Sequence, residues 1–191
     1  MISRMTLADM DGAVELHIKN LPEGVSFLLG RRALKRMYEI LLEDEKNFAF
    51  VYRHDSRMIG VAVSSEDISD IPKKCRRDSR FMLYAAWAVI RKPGILRQLL
   101  HSYPSEIKPE MLFLYVDSKN RGSGIGKKLV ASTEKEFKRR GIRRYKITIS
   151  ANNKARTFYE KIGFKRSSAS TSEARHPTQH EGERVVYVKT I

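Results

Sequence analysis

Two kinds of apolar spacing divide the chain into short elements, one alternating and one helical. Residues 2–5 read as a short first strand. Thr6 and Asp9 follow at capping-box spacing, and Ala13, Leu16 and His17 then share one stripe of a helix that fades near Asn20. Leu21, Pro22, Glu23 and Gly24 break it. Residues 31–42 put Leu34, Met37, Tyr38 and Leu41 on one helical face. Residues 48–52 and 59–64 have strand composition, and His54, Asp55 and Ser56 turn between them as a hairpin. Residues 65–108 are the least regular part. A basic stretch leads into an apolar run at 81–90, Pro93-Gly94 breaks the chain, and 95–103 is apolar again, which predicts two short helices. Their stripes fit a buried core face best, with a dimer contact or a membrane-surface element as the other uses of such a pattern.

The second half is more regular. Residues 111–116 are all apolar and read as a strand, and residues 125–140 have helical periodicity through Leu129, Val130, Thr133 and Phe137, stopped at Gly141. Residues 145–149 form another strand, 152–162 a helix ended by Gly163, and 164–168 and 184–189 two last strands. Between these, residues 167–182 are rich in Ser, Thr, His and Pro and read as a loop. Alternating strands and helices with a hairpin-like close predict an α/β or α+β domain around a mixed sheet.

Residues 121–126, Arg-Gly-Ser-Gly-Ile-Gly, join the strand at 111–116 to the helix at 125. A helix N-terminus has unpaired N–H groups and a partial positive charge, and glycines let phosphate oxygens come close to the backbone. Arg121 adds a charge-assisted donor. The turn therefore reads as an anion site. It lacks the Gly-Lys-Ser/Thr ending of a P-loop, and its order is not the Gly-x-Gly-x-x-Gly of a dinucleotide fold with a following acid.

Arg121, Gly124 and Gly126 stand in the order Arg-x-x-Gly-x-Gly. After the next strand come Asn152, Ala155, Phe158, Tyr159, Glu160, Lys161, Gly163 and Phe164. In these two motifs residues 110–165 resemble the GCN5-related N-acetyltransferases (GNAT). The resemblance implies a mixed, mostly antiparallel central sheet flanked by helices, whose fourth and fifth strands splay apart to admit the pantetheine arm of acetyl-CoA. The backbone of Leu114, Tyr115 and Val116 would hold that arm, and Gly122, Ser123, Gly124, Ile125, Gly126 and Lys127 the pyrophosphate, beside Arg121. Asn152 and Ala155 would line the pantetheine end. Tyr159 is expected to protonate the departing thiolate. Glu110, six residues before Val116, and Glu23, in the loop after the first helix, are the candidate bases. A helical insertion at 65–108, within one domain spanning 1–191, is the departure from the family pattern.

Composition changes the picture in two places. The formal charge of +15 suits the phosphates of CoA and exceeds what one cofactor needs. It admits a nucleic-acid partner, against which stands the lack of any motif interleaving basic residues with exposed aromatics. The single cysteine, Cys75, permits no internal disulfide and fits a cytoplasmic location. It reads as an incidental surface residue among Lys73, Lys74, Arg76 and Arg77, whose charges would lower a thiol pKa. No signal peptide is read at the start, no apolar run is long enough for a span, and a homodimer is left open. His17 and His54 read as structural or surface groups, and His176 and His180 lack further ligands at metal spacing.

Three functions follow. The first is an acetyl-CoA-dependent N-acetyltransferase acting on a small-molecule amine, an amino sugar or nucleotide-linked amino sugar. The second is the same chemistry on a protein N-terminus or lysine, and the third a non-catalytic CoA-binding or nucleic-acid-associated module.

Overall fold

The computed structural model describes residues 1–21, 28–94, 106–167 and 184–191. The predicted second base Glu23, the apolar run 95–103 and nearly all of the loop 167–182 lie outside them. Among the described residues the elements run β1 (Ile2–Arg4), α1 (Met10–Asn20), α2 (Gly30–Leu42), β2 (Asn47–His54), β3 (Arg57–Ser65), α3 (Ile71–Arg77), α4 (Ser79–Arg91), β4 (Glu110–Val116), α5 (Ile125–Arg139), β5 (Arg144–Ser150), α6 (Arg156–Lys161), β6 (Lys165–Arg166) and β7 (Arg184–Thr190). The strands form one sheet in the order β1-β2-β3-β4-β5-β7-β6. Every pairing is antiparallel except β4 with β5. This is the mixed, mostly antiparallel sheet that the resemblance implies.

Strand alternation sorts the side chains into two layers. Ala49, Val51, Val61, Val63 and Tyr115 face α1 and α2, where Met10, Ala13, Leu16, Leu34, Tyr38 and Leu41 meet them. The opposite face carries Phe48, Ala62, Tyr145, Ile147, Val185 and Tyr187 against Leu129, Val130 and Phe137 of α5 and Tyr159 of α6. Gly60 sets how closely α5 approaches. A Cβ there would meet Leu129 Cδ1 at 3.0 Å and Ile125 Cγ2 at 3.1 Å, so a larger residue would push the start of α5 or these side chains off β3 by a few tenths of an ångström.

Most predicted elements are present with shifted ends. At the hairpin, Asp55 and Ser56 both take positive φ (46° and 62°), which lets β2 and β3 extend beyond the predicted runs. Residues 152–155 do not join α6. Asn153 accepts a bond from the Ala155 amide at 2.8 Å, an Asx turn that delays the helix to Arg156. Asp9 accepts from the Thr6 amide (2.9 Å) and hydroxyl (3.1 Å), so the capping pair opens a 3-10 turn that runs into α1.

Cys75 corrects the sequence reading. It is buried with Leu29, Ala33, Ile40, Phe81 and Ala85, between α2 and the α3–α4 pair. Burial, helped by Asp78 and opposed by Arg36, pushes the thiol up to about 11, opposite to the shift expected from its basic neighbours.

A chain of hydrogen bonds ties α1, α2 and β4 through the core. The Tyr115 hydroxyl donates to Ala13 O (3.0 Å), Tyr38 and Tyr115 hydroxyls are 2.8 Å apart, and His17 Nδ1 lies 2.9 Å from the Tyr38 hydroxyl. A carbonyl only accepts, so Tyr115 spends its proton on Ala13. Tyr38 must then donate to Tyr115, and His17 must carry its proton on Nδ1. Burial lowers the His17 pKa to about 4, so the imidazole is neutral in the folded protein. The unfolded chain takes up that proton near pH 6.5, so this stabilisation is full above pH 6.5 and is lost as pH falls toward 4, by about 3 kcal/mol. The urea midpoint is therefore expected to drop between pH 7 and pH 5, and the drop should shrink in His17→Gln.

Candidate active site

β4 and β5 share a single register pair, Glu110 with Lys146, reinforced by Lys146 N donating to Pro109 O at 3.0 Å. Beyond that rung the strands run on without a ladder between them. A bulge contributes to the divergence: Val63 faces Phe113 and Ser64 faces Met111, leaving Leu112 with no partner on β3. An extra residue on one strand bends it and raises its twist. The result is a V-shaped gap whose β4 side, from Met111 to Val116, presents backbone groups that β5 does not satisfy. An extended ligand can pair with such an edge as an added strand does.

The glycine turn stands at the open end of that gap. β4 ends at Val116, and the Asp117 amide closes the β3 ladder by donating to Ile59 O at 2.8 Å. The buried Asp117 carboxylate then accepts from the Lys119 amide (3.3 Å) and from Lys19 (3.4 Å) and Arg57 (3.3 Å). These bonds hold it below the usual carboxylate range. Gly122 and Gly124 take φ of +84° and +80°, which strongly favours glycine, and Gly124 is the N-cap of α5 without a side-chain cap. The amides of residues 122–127 have no acceptor among the described residues, and the first turn of α5 holds no acid, only Lys127 and Lys128. Cations at the positive end of a helix oppose its dipole, and an anion seated on these amides would offset that.

Arg121 is placed differently from expectation. Its Nε donates to Val116 O (3.3 Å) and one terminal nitrogen to Asn20 Oδ1 (3.2 Å), so much of the guanidinium clasps the turn to β4 and α1. Gly126 explains why the two motifs occur together. The Phe158 ring packs on it, 3.3 Å from where a Cβ would stand, which docks α6 against the start of α5. Asn152 is exposed in the turn after β5, and Ala155 packs half-buried against the core. Tyr115 turns its side chain away, into the His17–Tyr38 chain, leaving only its backbone toward the gap.

Tyr159 is buried with its ring edge-on to Phe158 and Phe164 at 5.2 and 5.6 Å. Burial raises its pKa to about 12, and its hydroxyl makes no hydrogen bond among the described residues. It remains a protonated donor throughout the physiological range.

Glu110 lies buried on the sheet face away from α5 and α6. Its Oε2 is 3.4 Å from Nζ of Lys146, which is itself 2% exposed. Burial raises the carboxyl above its ordinary value, while Lys146, a hydrogen bond from Thr148 and the charge of Arg184 pull it back. Lys146, Thr148 and Arg184 alternate with the core residues Tyr145, Ile147, Ile149 and Val185, so β5 and β7 carry a polar stripe beside Glu110. The sequence analysis missed Lys146 and Thr148. Their signal was the strict polar-apolar alternation of residues 144–150.

Residues 105–180 match the sequence model of a family described as "Acetyltransferase (GNAT) domain". The match covers the glycine turn and the Asn152–Phe164 motif, and less than half of the chain. The chain is similar in fold to the PaiA N-acetyltransferase of Thermoplasma acidophilum in complex with coenzyme A, at 16% identity and a TM-score of 0.62 over 100% of this chain and 98% of that one. It is also similar to the ribosomal-protein-alanine N-acetyltransferase of Brucella melitensis (17% identity, TM-score 0.64, 100% and 99% coverage). A GNAT family acetyltransferase of Elizabethkingia anophelis with acetyl-CoA bound gives 13% identity and a TM-score of 0.55, over 100% and 97% of the two chains. At these identities the likeness is one of fold. No curated protein sequence matches the chain. Among the described residues no cluster of His, Cys, Asp and Glu could hold a metal ion, and no helix is long and apolar enough to cross a membrane.

Proposed function

We propose that the protein transfers the acetyl group of acetyl-CoA to a primary amine by direct attack. The observation that carries this reading is the single β4–β5 rung beside a glycine turn with unengaged amides. An extended arm with an anionic end fits that combination. The pyrophosphate sits on the amides of Gly122 to Lys127, and the pantetheine pairs with Leu114, Tyr115 and Val116, past Asn152 and Ala155. The acceptor nitrogen, once neutral, attacks the thioester carbonyl, the C–S bond breaks, and Tyr159 gives its proton to the thiolate. Glu110 takes the amine proton directly or through a water.

The acceptor is a small amine with anionic groups, an amino sugar or nucleotide-linked amino sugar. The formal charge of +15 and the cations Lys146 and Arg184 beside Glu110 favour it over a basic peptide. A cytoplasmic location, where acetyl-CoA is available, accompanies this reading. Thiol release from acetyl-CoA with a panel of amino sugars, polyamines and peptides beginning in alanine tests it. Turnover confined to the peptides would replace the small-molecule acceptor with a protein.

Glu110→Gln is expected to lower kcat/KM by roughly 10²–10⁴ if the carboxylate is the base. The wild-type profile should rise with pH through a value above the ordinary glutamate range, because the base works only when ionised and burial holds its proton on. Lys146→Met removes the cation that opposes this, so it should carry the limb to still higher pH. A limb that neither variant moves belongs to another group.

A further inference from the structure

α4 is apolar on both sides. Phe81, Ala85 and Ala88 are buried against α2 and α3, whereas Met82, Leu83, Trp87 and Ile90 are 43%, 68%, 56% and 78% exposed. At 3.6 residues per turn, Leu83, Trp87 and Ile90 fall within one quadrant, opposite the buried three. The other exposed large apolar side chains of the described residues, Met1 and Leu7, are at the N-terminus, so this face is the one place where such residues cluster. A contiguous exposed apolar face marks a contact surface.

The segment that carries it is strongly basic. From residue 71 to 92 there are seven cations and one carboxylate, Asp78, which Arg36 already engages at 2.7 Å. Arg76, Arg77, Arg80 and Lys92 form no ion pair among the described residues. Arg80 lies one and two turns before Leu83 and Trp87, and the Arg91 guanidinium stacks 3.6 Å over the Trp87 ring. Leu and Ile flanked by Trp and unpaired Arg is the arrangement of a helix that lies in a headgroup layer, its apolar side chains at the acyl boundary and its cations on lipid phosphates.

We propose that the exposed face of α4 docks the protein on an anionic lipid bilayer. Two other occupants fit the chemistry less well. Nucleic acid would engage the arginines and leave Leu83 and Ile90 in water, and a second copy packed face to face would bring the same cations together.

Trp87 is the only tryptophan of the chain, so its fluorescence reports on this face alone. The full chain is titrated with vesicles of phosphatidylcholine and of phosphatidylcholine mixed with phosphatidylglycerol. Expected are a blue shift of Trp87 and co-sedimentation with the anionic vesicles, at least about tenfold stronger than with neutral ones and lost at high salt. The double variant Leu83→Ser/Ile90→Ser and the triple variant Arg76→Glu/Arg77→Glu/Arg80→Glu should each abolish both signals. All five side chains lie at the surface, and circular dichroism checks that both variants fold. No response to either vesicle overturns the proposal. So does a blue shift that follows protein concentration alone with a doubling of mass, which assigns the face to a second copy. A Trp87 already blue and shielded from quencher without vesicles assigns it to another part of the chain. RNA binding that survives Leu83→Ser/Ile90→Ser without a Trp87 shift, with no vesicle binding, assigns the charge to nucleic acid.

Discussion

Gly124→Asp is expected to weaken acetyl-CoA binding by more than about 100-fold, close to 3 kcal/mol, while the domain remains folded. Gly124 is the N-cap of α5 with φ of +80°, and aspartate is both a favoured N-cap and one of the few side-chain residues that tolerate this backbone region. Its carboxylate would therefore accept from the amides that a pyrophosphate needs and repel the phosphate charge as well. Gly124→Ala separates the two causes. Alanine brings only the strain of positive φ, roughly 1–2 kcal/mol against stability, and places no charge in the site. Calorimetry with acetyl-CoA on all three proteins checks this. Equal losses in the two variants would mean that backbone geometry, and not anion competition, governs the turn.

Tyr159→Phe is expected to reduce kcat by about 10²–10⁴ and to leave acetyl-CoA affinity and the melting temperature close to wild type. The stability half follows from geometry. The hydroxyl has no hydrogen-bond partner among the described residues, so removing it leaves no buried group unsatisfied, and the ring keeps its packing on Phe158 and Phe164. The pH half follows from the pKa of about 12. The phenol stays protonated over the assay range, so a basic limb at pH 8–10 has to come from another group. A variant with unchanged turnover would remove Tyr159 from the acid role and leave it as a core aromatic.

These two residues were legible for a physical reason. Arg121 to Gly126 and Asn152 to Phe164 are local motifs. Positive φ at Gly122 and Gly124, and the close approach of Phe158 to Gly126, impose residue choices at fixed short spacings. Helix α5 was readable through its apolar stripe, and the hairpin of β2 and β3 through its turn. Where readings failed, the deciding partner was distant in sequence. Cys75 read as an incidental surface residue because its neighbours in the chain are basic, yet its neighbours in space are Phe81, Ala85 and residues of α2. The helix expected from 152 begins at Arg156, because one Asn side chain bonds its own turn.

The sequence by itself determined the fold class of the chain and the place of the glycine turn, since the turn rests on backbone demands met within a dozen residues. The parting of β4 and β5 was implied by the resemblance, but only the tertiary structure decided that Glu110 and Lys146 form their one rung. It alone decided that Glu110 shares its burial with Lys146, 36 positions away, and that one side of α4 is left uncovered. Burial, the partner of a charge and the exposure of a helix face depend on what other segments bring to the same place. No local pattern of residues encodes that.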